Sequence, residues 1–81
     1  MPTILREGPY RIFFFSNEGS EPAHVHVFSN GKVAKLWLSN TAVAANSGFA
    51  AHELTEIIQL VRAHRDELAR AWDGYFGSTG R

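Results

Sequence analysis

The chain holds no cysteine, so neither a disulfide nor a thiolate metal site can brace it, and compactness rests on packing alone. It has no stretch approaching the roughly 18 apolar residues that a membrane span requires. Its opening, Met1-Pro2-Thr3-Ile4-Leu5-Arg6-Glu7-Gly8, carries no uninterrupted apolar run of the kind that marks a secretory signal. These absences predict a soluble, cytoplasmic chain with no membrane contact. Charge of one sign is missing too, because eight Lys and Arg cancel eight Asp and Glu. A protein that grips nucleic acid by neutralising phosphates ordinarily carries a basic surplus, so an RNA or DNA role here has to come from a local patch. The chain has no internal repeat and no low-complexity tract.

What is present is enough for one small domain. A composition 44% hydrophobic and 12% aromatic over 81 residues argues against disorder. A domain of this size nevertheless buries only about 60–65% of the surface its unfolded form exposes, so its core is modest. The domain is expected over residues 1–77, with 78–81 a frayed tail after Gly77.

The strongest local pattern is His24-Val25-His26-Val27-Phe28-Ser29, then Asn30-Gly31, then Lys32-Val33-Ala34-Lys35-Leu36-Trp37-Leu38. Alternation on both sides of an Asn-Gly pair predicts a β-hairpin with a two-residue type I′ turn. Counting outward from Ser29 opposite Lys32 sets Phe28 against Val33, His26 against Lys35, and His24 against Trp37. Side chains alternate along a strand, so Val25, Val27, Ala34, Leu36 and Leu38 share a core face. His24, His26, Phe28, Val33, Lys35 and Trp37 share the other.

Ahead of this hairpin, Thr3 to Arg6 reads as a short strand reversed at Gly8-Pro9, and Tyr10 to Ser16 as a second. In the second strand Tyr10, Ile12 and Phe14 face one way and Arg11, Phe13 and Phe15 the other. Both faces are apolar while one helical layer is available, so the Phe13 and Phe15 side is free to meet a partner, a second copy of the chain or the rim of a pocket. The polar loop from Asn17 to Pro22 leads into His24 and can overhang the imidazoles. Ala42-Val43-Ala44 offers a short edge strand. From about Ala50 the period changes, with Leu54, Ile57, Ile58, Val61, Leu68, Trp72, Tyr75 and Phe76 at helical spacing. Position 65 breaks the stripe with Arg. One helix to about Phe76 is marginally preferred over two joined near His64-Arg65. Trp72, Tyr75 and Phe76 are expected to cover the Val25, Val27 and Leu36 face, with aromatic surface left over for a dimer or a helical partner.

The histidine face admits three readings. Imidazoles at i, i+2 on a strand have β-carbons roughly 6–7 Å apart. In the first reading His24 and His26 act as general base and acid on a phosphodiester, with no metal. Lys35 steadies the phosphoryl charge, and Trp37 and Phe28 stack an unpaired base. The second is a metal site, since imidazole ligates zinc, nickel and copper. Its third ligand would have to come from Glu18, Glu21, His52 or His64, none at a recognised spacing, and Lys35 would repel the cation. The third reading is structural: half-buried imidazoles packing against a partner or solvent.

Several strings together resemble a known family. Met1-Pro2-Thr3-Ile4-Leu5, Phe13-Phe14-Phe15-Ser16-Asn17-Glu18-Gly19, Glu21-Pro22-Ala23-His24-Val25-His26-Val27, Lys35-Leu36-Trp37-Leu38 and Ala71-Trp72-Asp73-Gly74-Tyr75-Phe76-Gly77 are similar to the small bacterial family DUF4160. The resemblance implies a setting rather than a mechanism: a gene beside that of another small protein, in a pair of toxin–antitoxin type. One departure is Ala50, where relatives carry a Ser that would form a capping box with Glu53. Ser47 or Asn46 is then expected to cap the helix.

The residues and the resemblance together predict an α+β domain, an antiparallel sheet of about four strands covered on one face by a C-terminal helix or helical hairpin. The leading expectation is a toxin-like, metal-independent ribonuclease without a cofactor, using His24, His26 and Lys35. Its rival is a non-enzymatic module that docks a cognate antitoxin-like protein, or a second copy, through the aromatic face of Phe13, Phe15, Phe28 and Trp37, and Glu21 in the loop beside it is counted among the binding residues.

Overall fold

In a computed structural model of the chain, residues 3–14 and 21–76 are described. Phe15, the loop positions 16–20 and the tail from Gly77 lie outside the described residues. Among the described residues five strands form one antiparallel meander in chain order: β1 (Thr3–Glu7), β2 (Tyr10–Phe13), β3 (His24–Ser29), β4 (Lys32–Trp37) and β5 (Val43–Ser47). The α+β expectation holds, with a fifth strand where Ala42 to Ala44 offered a short edge. β5 pairs with β4 from Ser47 opposite Val33 to Val43 opposite Leu36, across one irregularity.

The β3–β4 register is the one counted from the turn, from Ser29 opposite Lys32 to His24 opposite Trp37. Asn30 and Gly31 adopt φ of 52° and 76°, the paired positive values that a type I′ turn demands. Gly8-Pro9 joins β1 to β2, with Glu7 opposite Tyr10 and Arg6 opposite Arg11.

The helical stripe divides into α1 (Ala51–Ala63) and α2 (Arg65–Phe76), a correction to the single helix. Ile57 and Val61 are buried on α1 and Leu68 and Trp72 on α2, whereas the positions that would bridge them, His64 and Arg65, are polar. The break at His64 keeps both out of the core. Arg65 instead donates to the Ser39 carbonyl, and His64 lies between Glu67 at 3.1 Å and Glu7 at 3.4 Å.

Both helices cover one face of the sheet. Their buried residues pack with Ile12, Phe14, Val25, Val27, Ala34, Leu36, Leu38 and Phe49. Fully burying each of the Val, Leu, Ile and Phe side chains among them contributes about 1.5–3 kcal/mol before chain entropy is counted. Two polar links also tie α1 to the sheet. Lys32 Nζ donates to Glu53 at 2.8 Å, and Tyr10 Oη donates to Glu56 at 2.8 Å.

The N-cap of α1 is Ala50, not Ser47 or Asn46. Half of a capping box survives without a cap side chain, because the Ala50 N–H donates to Glu53 Oε1 at 2.9 Å. Asn46 is occupied elsewhere, bonding both the N–H and the carbonyl of Phe49.

Candidate functional site

The face away from the helices is organised in rows that run across the strands. Partners opposite each other share a face, so the pairings define one row of Arg6, Arg11, Phe28, Val33 and Ser47. The next row is Phe13, His26, Lys35 and Ala45. A third begins with His24 and Trp37. Successive rows lie roughly 6.5–7 Å apart along the strands.

The register thus brings His24, His26, Lys35 and Trp37 together, but not in equal exposure. His24 is fully buried. Its ring meets Trp72 of α2 at 5.0 Å, His26 at 5.4 Å and Trp37 at 5.7 Å between centres. Its Nδ1 lies 2.9 Å from the Pro22 carbonyl. Since a carbonyl accepts, Nδ1 carries the proton. Trp72 was expected over the Val25 and Leu36 face, and it does pack edge-on against Phe14 at 5.3 Å. It also covers His24, which corrects the picture of two open imidazoles. Of the two rings, that of His26 is the one with accessible surface.

His26 is half-buried, stacked on Phe13 at 5.5 Å and 21°. Lys35, directly opposite, donates to Glu21 Oε1 at 3.0 Å and holds its Nζ 4.8 Å from the centre of the Trp37 ring. Glu21 also comes within 3.7 Å of His24 Nδ1. It therefore sits between the amine and the buried imidazole. The Lys35–Glu21 pair is a surface pair of small net strength, so an incoming phosphate can displace the carboxylate. A shallow cavity of about 270 Å³ opens beside it, lined by His26, Val33, Ala34, Lys35, Ala45 and Asn46 among others.

Phe13, expected as docking surface, is only 4% exposed, while Phe28 is 38% exposed. Trp37 is half-buried. Arg11 bridges the two phenylalanines, its guanidinium carbon 5.3 Å from the Phe13 ring centre and 5.6 Å from that of Phe28. Arg6 and Arg11 were given no role by sequence reasoning. Counting the first hairpin outward from Gly8-Pro9, as was done for Asn30-Gly31, would have set them side by side. Among the described residues no group of three or more His, Asp or Glu is placed to hold a metal ion, and no helix is long and apolar enough to cross a membrane.

A family model described as Domain of unknown function (DUF4160) matches residues 10–73, a span that takes in β2 to β5, α1 and most of α2. No curated protein and no solved structure matches the chain.

Proposed function

This chain belongs to the DUF4160 family, a domain of unknown function, and we propose that it acts in the cytoplasm as the RNA-directed component of a two-gene module of toxin–antitoxin type. The observation that carries this reading is the cross-strand pair of His26 and Lys35 on the open face, beside a cavity. His26 accepts the proton of a 2′-hydroxyl. The freed oxygen bonds phosphorus, the bond to the 5′-oxygen breaks, and solvent protonates the leaving oxygen, yielding a 2′,3′-cyclic phosphate and a 5′-hydroxyl. Lys35, released from Glu21, offsets the charge that builds on the phosphoryl oxygens. His24 acts as a positioning residue, its ring held by the Pro22 carbonyl and set at 82° to that of His26. The two-gene setting comes from the resemblance.

The test is cleavage of mixed RNA in the presence of chelator. Wild-type protein should leave cyclic phosphate ends, and His26→Ala and Lys35→Ala should leave the RNA intact while keeping the wild-type circular dichroism. Intact RNA with the wild-type protein would overturn the reading.

A second reading rests on the exposed ring of Phe28 and the apolar wall of the cavity at Val33, Ala34 and Ala45. In it the same face docks a cognate small protein without chemistry. A complex that forms in the absence of RNA cleavage and is lost in Phe28→Ala would favour it.

A further inference from the structure

The balanced composition conceals an uneven distribution of charge. On the open face the strand positions hold Arg6, Arg11, His26 and Lys35 together with the buried His24, and not one acid. Glu21 enters from the segment ahead of β3 and pairs with Lys35. Acids that share the opposite side include Glu7, facing His64, and Glu53, facing Lys32. Arg6 and Arg11 lie side by side, and neither has a carboxylate within ion-pair distance among the described residues. Next to Arg11 in the same row is Phe28, the most exposed aromatic ring on this face among the described residues.

From these observations we infer that the row Arg6–Arg11–Phe28 is a track for single-stranded RNA, running across the strands one row from His26 and Lys35. The inference rests on the RNA-directed reading above and names its substrate class. Guanidinium groups supply the phosphate contacts. Phe28 supplies a flat surface for an unpaired base, with the Arg11 guanidinium carbon 5.6 Å from its ring centre. β1 to β3 spans two strand spacings, roughly 9.5 Å, so one backbone can touch both arginines while a base lies on Phe28. A duplex keeps its bases stacked on one another and cannot use that ring. Phosphate and base contacts in one row hold the strand, while the hydroxyl chemistry belongs to the next.

The experiment is fluorescence anisotropy with a labelled 2′-O-methyl oligouridine, which lacks the attacking hydroxyl, so that binding is read apart from cleavage. Wild type should bind it at low salt and weaken as salt rises. Arg6→Gln with Arg11→Gln should flatten the slope of log K against log salt by about 1.4, two phosphates' worth for a single strand. Phe28→Ala should lose roughly tenfold in affinity. Because Arg11 packs on two rings, Arg6→Gln alone is the control for folding, and it should flatten the slope by about 0.7. The track is overturned if wild type does not bind, if the variants bind with wild-type affinity and slope, or if a duplex of equal length binds as tightly. Unmodified RNA that is bound but never cut would sink the ribonuclease reading and leave the track standing.

Discussion

The indole of Trp72 lies against the imidazole of His24, ring centres 5.0 Å apart and tilted at 56°, which joins the last helix to the strand face that the helices otherwise leave open. Trp72 also meets Phe76 at 4.3 Å and Phe14 at 5.3 Å. One side chain therefore closes both the core and the histidine cluster.

Trp72→Ala should destabilise the domain by about 3–5 kcal/mol, the cost of removing a buried aromatic and leaving a cavity. A chain of this length is held by only about 4–12 kcal/mol, so the variant should unfold at much lower urea. Trp72→Phe keeps a ring against His24 and should recover more than half of the loss. Urea titrations followed by circular dichroism decide it, and a loss below about 1 kcal/mol for the alanine variant would mean that Trp72 is not packed as described.

The contrast between His26 and His24 shows what a linear sequence can carry. Register and face were legible because Asn30-Gly31 fixes one turn type, and one turn type fixes every pair back to His24 and Trp37. Accessibility was not legible. It depends on where the end of α2 comes to rest: the helical stripe puts Trp72 over the Val25 and Leu36 face and does not reveal that the same ring also reaches His24. β5 was seen only as Ala42 to Ala44 because Ala, Asn and Ser are weak strand formers, and its pairing is decided by the edge that β4 offers. The helix break followed from local chemistry: Arg65 and His64 stand where the core would need apolar side chains.

Ala50→Ser should stabilise the protein by about 1 kcal/mol. Ala50 already has the extended conformation of an N-cap, φ −77° and ψ 165°, and Glu53 already returns a bond to its N–H. A serine hydroxyl there can accept from the Glu53 N–H and complete the box. Thermal melts should show a rise of several degrees, about 4–8 °C for a domain this small. An unchanged melting temperature would show that the Glu53 N–H gains nothing from an acceptor.

Acid should expose the Lys32–Glu53 link. The hydrogen bond from the Lys32 ammonium, 2.8 Å away, holds the Glu53 carboxyl below its ordinary range, with the Ala50 N–H adding to the effect. A carboxylate depressed in the folded state contributes stability that is present above its unfolded pKa, about 4.3, and is lost as pH falls through the lower folded value. Lys32→Met keeps an apolar side chain and removes the charge, which in wild type lies 5.5 Å from the centre of the Phe49 ring. Its stability should decline less steeply than that of wild type below about pH 4.3, because less of the depression remains to be lost. Parallel acid-limb profiles from urea unfolding would refute the link.

Base should reveal Tyr10. Removal from water is the largest cause, and the hydrogen bond to Glu56 with the charge of that carboxylate adds to it; together they push the phenol up to about 12. The unfolded chain releases this proton near pH 10, while the folded chain retains it until about 12. Between those values the unfolded state binds fewer protons, so stability falls as pH rises, having been fully present below pH 10. Tyr10→Phe fills the same space with no proton to lose. It should start less stable near neutrality through loss of the bond to Glu56, by about 1 kcal/mol, and then decline less steeply than wild type above about pH 10. Tyrosinate absorbance gives the direct check. The wild-type titration minus that of Tyr10→Phe should have its midpoint near 12, and a midpoint near 10 would mean that the Tyr10 hydroxyl faces water rather than Glu56.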